Sequence, residues 1–340
     1  MSRLRSADTQ GVPGMRIGLA AISAALFALV ILGIPVAGEA QQAKPPYRIG
    51  VLHTAFFPSI PSVEGLKAGL KELGLNEGRE VTFDIRFTRG SLEEAPIAAA
   101  ALAREGVDLI FAQTEQTARA AKAATRTIPI VFVEVGDPVA AGLVASVPRP
   151  GGNITGVSSL ATELTPKRLE ILKAVFPGVR RVWAVYNADD FSSAAAARKA
   201  QDVAALLKLE MVVQAVQTPE ELVGHLKTLR PGDGLLAPPA VTMNIPGVIL
   251  DLELMSKWPA LFYNTFWAQA GALVSYGSEP NAEGVQAARL VARILRGERP
   301  QDLPVEGTNK IELTINLKTG RRLSVTVPQE ILVRADRILE

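Results

Sequence analysis

Residues 47–87, YRIGVLHTAFFPSIPSVEGLKAGLKELGLNEGREVTFDIRF, contain the unit from which the fold follows. Residues 48–52 form a short apolar run of the kind that makes a buried strand. Val63, Leu66, Leu70 and Leu73 then recur at helical spacing until Gly74 stops them. Beyond that glycine, Val81, Phe83, Ile85 and Phe87 alternate with Thr82, Asp84 and Arg86, which predicts a strand with one face buried and one wet. Strand, crossing helix and strand in that order build a parallel sheet covered by helices on both faces.

The same block repeats outward. Ser91 with Glu94 makes a capping box that opens the next helix. Strands over 107–112 and 128–133 flank a helix running from about 114 to 124. Arg149-Pro150-Gly151-Gly152-Asn153 is a turn-rich break, after which the alternation starts again. Thr165-Pro166 begins a helix, 181–186 reads as a strand, 193–207 as an alanine-rich helix and 211–216 as a strand. Thr218-Pro219-Glu220-Glu221 places an N-cap, a first-turn proline and an N3 glutamate in order. Strands at 234–237 and 260–264, with a helix between them, complete a second α/β lobe in tandem with the first.

The last section looks like pieces returning across a hinge: a strand over 271–276, a helix over 282–296 and a strand over 311–315. The predicted fold class is therefore α/β, two doubly wound parallel-sheet lobes joined by three crossings near 157, 277 and 305. Residues 41–157 with 277–304 make lobe one, and 158–276 with 305–340 make lobe two.

The amino terminus reads as a processing signal, residues 1–40. Arg3, Arg5 and Arg16 precede 17–37, an apolar run without charge. Pro35 breaks that run, and Gly38-Glu39-Ala40 offers the small residues a signal peptidase needs, so cleavage is expected after Ala40. An uncleaved anchor is the competing reading, since about 20 apolar residues span a bilayer. A start at Met15 would shorten the signal and leave export unchanged.

The chain has 340 residues and no cysteine, which excludes disulfides, thiol nucleophiles and a lipid-anchored Cys at the cleavage point. A core must hold it together, and about 300 residues suffice for two lobes. With 36 Lys plus Arg against 34 Asp plus Glu the charge is near balance. No basic stripe marks a nucleic-acid surface. Dinucleotide, Walker, nucleophile-elbow and His-Glu-x-x-His motifs are missing, and His53 and His225 fall in different lobes, so neither a cofactor nor a metal is expected. Asp189-Asp190 reads as a helix cap rather than a catalytic pair.

Several stretches resemble a known family. They are Gly136-Asp137-Pro138-Val139 with Ala141-Gly142-Leu143-Val144, and 149–158, RPGGNITGVS. Pro166-Lys167-Arg168-Leu169-Glu170, Ser275-Tyr276-Gly277, Asp302-Leu303-Pro304-Val305-Glu306 and Ile315-Asn316-Leu317-Lys318-Thr319 continue the match in order. On these the chain resembles the ABC-transporter substrate-binding family that includes tryptophan-binding lipoproteins of the type I periplasmic-binding-protein fold. The resemblance implies an interlobe cleft that closes on a small molecule, such as an amino acid or related small carboxylate. It implies delivery to permease subunits of an importer and a monomeric periplasmic protein that performs no catalysis. A ligand-sensing module of a membrane receptor and an exported α/β enzyme are the other readings.

In open α/β sheets ligands lie beyond the carboxyl ends of the strands. In the first lobe that rule selects Thr54, Phe56, Phe57, Gln113, Thr114, Glu115, Glu134 and Asp137. Ser158 and Ser159 lie at the crossing, and Asn187, Pro238, Asn264, Phe266 and Tyr276 belong to the second lobe. Phe56 and Phe57 either stack on a ligand or cap the core. Asp137-Pro138 reads first as a turn, Ser158 and Ser159 also suit hinge backbone groups, and Asn187 also suits a helix cap. Thr114 suits a ligand carboxylate and Glu115 an ammonium. Residues 113–116, QTEQ, depart from the small residues family members commonly carry there, which weighs against an aromatic amino acid.

Overall fold

The computed structural model describes residues 46–91, 93–238 and 247–340. The expected signal segment, 1–40, lies outside the described residues. The chain begins with β1 (Tyr47–His53), α1 (Pro61–Glu72), β2 (Val81–Phe87), α2 (Glu94–Arg104), β3 (Leu109–Gln113), α3 (Glu115–Ala124), β4 (Ile130–Val135) and β5 (Ile154–Ser158). It continues through α4 (Thr165–Val175), β6 (Arg181–Asn187), α5 (Phe191–Ala204), β7 (Glu210–Val216), α6 (Pro219–Leu226), β8 (Asp233–Leu236), α7 (Val248–Ser256) and β9 (Ala260–Asn264). It ends with α8 (Thr265–Ala270), β10 (Val274–Ser278), α9 (Pro280–Leu295), β11 (Glu306–Gly307), β12 (Ile311–Asn316), α10 (Leu317–Leu323), α11 (Gln329–Arg334) and β13 (Arg337–Leu339).

Two sheets result. The first runs β11-β5-β4-β3-β1-β2, parallel throughout, with Ile49 of β1 level with Phe83 of β2 and Leu109 of β3. The second runs β13-β12-β10-β9-β8-β6-β7 and is parallel except where β12 turns back against β10. Each sheet has an apolar cluster on both faces. The two-lobed α/β architecture read from the alternation is the one observed.

Local chemistry explains where the helices begin. Thr218 accepts the Glu221 backbone N–H at 3.2 Å and Glu221 returns a bond to the Gln217 N–H at 2.8 Å, a reciprocal cap ahead of α6. Asp190 caps α5 through the Ser193 N–H at 2.6 Å. Ser91 accepts the Glu94 N–H at 3.2 Å, as its spacing predicts.

Three details differ from the sequence reading. β2 is partly covered along almost its whole length, because it is the sheet's edge strand. Gly271 does not start a strand; with φ near 122° it ends α8, and β10 begins at Val274. Val305 is buried in the first lobe and Glu306-Gly307 pair with β5, so the third crossing falls after Gly307, slightly beyond 305.

The return of α9 completes the first lobe. Ala287, Ala288, Leu290, Val291, Ile294 and Leu295 of this helix join Val63, Leu66 and Leu70 of α1 in one core. The two helices approach closely because glycines meet there. A Cβ on Gly65 would fall on the Asn281 carbonyl, and one on Gly284 on the Ser62 carbonyl. Gly284→Ala is expected to destabilise the fold by about 1–3 kcal/mol, since backbone cannot retreat as a side chain can. Gly178→Ala, where a new Cβ meets nothing within 4 Å, is expected to change stability by less than about 0.5 kcal/mol. Thermal unfolding of both variants measures the contrast.

Candidate functional site

The carboxyl ends of β4 and β5 in the first lobe face those of β9 and β10 in the second around a small cavity. Glu134, Gly136, Ser159, Ala161, Tyr263, Asn264 and Ser278 line it, and its volume is about 10 Å³. That is room for about one water molecule. A larger groove of about 430 Å³ lies outside the cleft, open to solvent between α1 and α9.

The backbone along this end of the first sheet is unusual. Arg89, Thr114, Glu134 and Leu160, all non-glycine, take positive φ at or just past the ends of β2, β3, β4 and β5. Thr114, β-branched with φ 79° and ψ 161°, is the most strained, at a cost of about 1–3 kcal/mol.

Contacts across the cleft are polar. The Glu115 carboxylate, at the start of α3, accepts the Phe191 N–H at 2.9 Å, the Ser192 N–H at 3.0 Å and the Ser192 hydroxyl at 2.7 Å. A lobe-one carboxylate thus fills the anion position at the amino terminus of a lobe-two helix. Gln116 donates to Asp190 at 2.7 Å, and the Arg119 guanidinium lies over the Phe191 ring at 4.7 Å. The Asp137 N–H donates to the Ser192 hydroxyl at 3.0 Å. Burial, and then the nearby Glu115 charge, push the Asp190 carboxyl up to about 7.

A second acidic pair sits deeper. The Glu134 N–H donates to the Glu283 carboxylate at 2.8 Å, and Glu283 is wholly buried in the first turn of α9. Burial and the Glu134 charge push Glu283 up to about 8, and burial also raises Glu134. The buried Arg168 of α4 donates to the Ala161 carbonyl at 2.5 Å and the Thr165 hydroxyl at 2.6 Å. Burial lowers its pKa to about 10.

Of the residues read from sequence, Glu134, Ser159 and Asn264 line the cavity. Gln113 and Thr114 are buried beside it at the end of β3, and Glu115 spans the lobes. Asp137 accepts the Val139 and Ala140 N–H groups, a turn role, while its own N–H reaches Ser192. Ser158 donates to the Val135 carbonyl, and Asn187 accepts the Asp189 N–H. Thr54 is buried beyond β1, and Phe56 and Phe57 are exposed at 41% and 72%. Pro238 adjoins Arg168 and Ser193, Phe266 packs edge-on to Trp267, and Tyr276 packs against the second lobe's core. Sequence reading missed Gly136, Ala161, Tyr263, Ser278 and Glu283. Tyr263 stood inside a strand already recognised, one residue before Asn264. Nothing local marks Glu283, which the second chain crossing delivers.

Residues 49–339 match the family described as ABC transporter substrate binding protein, and the chain belongs to that family. It is 27% identical over 292 residues to a tyrosine-binding protein of Clostridioides difficile, covering 83% of this chain and 82% of that protein. A crystal structure of a conserved domain protein from Vibrio cholerae superposes with a TM-score of 0.79 at 29% identity, covering 86% of this chain and 99% of that one. The ABC domain from Streptococcus pneumoniae in complex with L-Trp gives a TM-score of 0.78 at 24% identity, covering 86% and 100%. Among the described residues no helix is long and apolar enough to cross a membrane, and no group of three or more His, Asp or Glu side chains could hold a metal ion.

Two outcomes are expected of the clasp. Glu115→Ala removes the acceptor of three interlobe donors, so the ligand-free variant should show a larger radius of gyration by small-angle scattering. Asp190 and Glu283 carry raised pKa values in the closed form, so that form binds protons the open form releases. Closure without ligand should therefore be strongest near pH 5 and weaken as pH rises to about 8.

Proposed function

We propose that the chain is an extracytoplasmic receptor of an ABC-type importer, which binds an amino acid or related small carboxylate between its lobes and hands it to permease subunits. What carries the reading is the convergence of buried polar groups from both lobes on one closed cleft in a member of a substrate-binding family. Domain closure is stabilised by a guest that touches both halves at once. The tyrosine-binding relative and the neighbour solved with L-Trp support an amino acid. The lobe bounds read from the sequence, 41–157 with 277–304 and 158–276 with 305–340, then shift by a few residues, with Ser158 and 305–307 taken into lobe one and Gly277 and Ser278 into lobe two. Export follows from the signal read at 1–40, and the protein acts as a monomer without turnover.

A cavity of about 10 Å³ does not admit an amino acid, so binding requires the lobes to part. The ligand carboxylate then takes the place of Glu115 at the amino terminus of α5, where three donors already point. Thr54, Gln113, Thr114, Ser158, Ser159, Asn187, Pro238, Asn264 and Tyr276 remain candidate contacts, with Phe56, Phe57 and Phe266 at the rim.

Trp267 is the natural reporter, because its ring lies 6.4 Å from that of Tyr263, which lines the cavity; Trp183 and Trp258 share the same apolar cluster. Titration with L-tyrosine, L-tryptophan and the other amino acids should change its fluorescence at one ligand per chain. Trp267→Phe should abolish the signal, and mass spectrometry should recover the ligand unaltered. Conversion of the ligand would favour the enzyme reading, and no response from any small molecule would overturn the receptor reading.

A further inference from the structure

The floor of the cleft is short of positive charge. Glu134 is the last residue but one of β4, Glu279 caps α9 and Glu283 lies in its first turn, and among the described residues neither Glu134 nor Glu283 has an ion-pair partner. Of these three acids Lys310 reaches Glu279 alone, at 3.9 Å, and it lies closer to Glu312, at 3.2 Å, while one guanidinium nitrogen of Arg168 donates to the Ala161 carbonyl and the Thr165 hydroxyl. Asp190 of α5 adds a further acid on the lobe-two side, and Tyr263 of β9 stands between these groups.

Among the buried atoms there without a hydrogen-bond partner, beside the Tyr263 and Thr114 hydroxyls and the Arg168 Nε, are three carbonyl or carboxylate oxygens. Oε1 of Glu283, Oδ1 of Asn264 and Oε1 of Gln113 are buried and have no hydrogen-bond partner, and the three residues are 0%, 4% and 6% exposed. All three atoms are acceptors. Asn264 lines the small cavity together with Glu134, so the acceptors come from both lobes. A cavity of about 10 Å³ holds something the size of one water, which is also the size of an ammonium head. A hydroxyl brings one donor and no charge, and a carboxylate would add repulsion.

We propose that Glu134, Glu283 and Asn264 form the subsite for the protonated amine of the ligand, so that the cleft selects amine-bearing molecules over polyols and amine-free carboxylates. The assignment rests on the receptor reading above and deepens it. Burial on closure raises both glutamates, so without a cation the closed pair retains a proton. An arriving ammonium takes that place and the proton leaves to solvent, which keeps the charge of the site unchanged. Amine affinity then rises with pH between about 5 and 8, opposite in sign to closure of the empty cleft.

The test is calorimetry on the full-length processed protein with L-tyrosine, tyramine and 3-(4-hydroxyphenyl)propionate, after a thermal-shift screen of all amino acids, putrescine and simple sugars. L-Tyrosine, or whichever amine the screen selects, should bind with proton release, seen as a buffer-dependent enthalpy. Its amine-free analogue should bind at least about tenfold more weakly, and Glu134→Gln and Glu283→Gln should each cost at least about tenfold and flatten the pH profile. Proton release by the unmutated protein keeps the test independent of how the variants fold. Equal binding of the amine-free analogue, or variants that bind the amine unchanged, would overturn the subsite and leave the receptor standing. So would a screen in which only sugars or amine-free acids bind. A screen in which nothing binds would overturn both.

Discussion

The Glu115 carboxylate, seated against the first N–H groups of α5, is the contact on which the arrangement of the lobes depends. Each lobe buries its own apolar clusters and needs nothing from the other to do so. What spans the gap is polar: Glu115 to Phe191 and Ser192, Gln116 to Asp190, Asp137 to Ser192. Buried charged contacts of this kind return little more than the cost of stripping water from their partners. The closed form is therefore held by a small surplus, and a guest with modest differential affinity can shift the balance.

Strain and burial are concentrated on the same side of the molecule. The first lobe places positive-φ residues at the ends of four consecutive strands in chain order, β2 to β5, while its helices and strands are otherwise regular. The carboxyls with raised pKa values at Asp190, Glu134 and Glu283 crowd the same edge. A structure optimised only for stability would have neither, and both are characteristic of surfaces shaped for binding.

The sequence was most readable where the signal is local. Thr218 with Glu221, Thr165-Pro166 and the Leu66–Leu70 spacing each name an element through the chemistry of neighbouring residues. β5 and α8 went unnoticed because each is short and sits against a turn: β5 follows Gly151-Gly152, and α8 follows β9 without a linker. The cavity was readable in part, since the ends of strands locate Glu134, Ser159 and Asn264. Glu283 was not, because its role comes from a helix that leaves one sheet and packs beside the other. Tyr276 illustrates the remaining limit: read as the end of a strand, it lies in the middle of β10, paired with β12, and its ring packs against the core.

The glycine contact between α1 and α9 has a temporal side. Val63, Leu66 and Leu70 cannot be fully covered until residues near Gly284 exist, so most of the chain must leave the ribosome before the amino-terminal half can finish folding. So distant a pairing slows the search for the native state. A nascent chain of this protein stays loose for most of its synthesis, a state in which a translocation channel or a holding chaperone can still grip it.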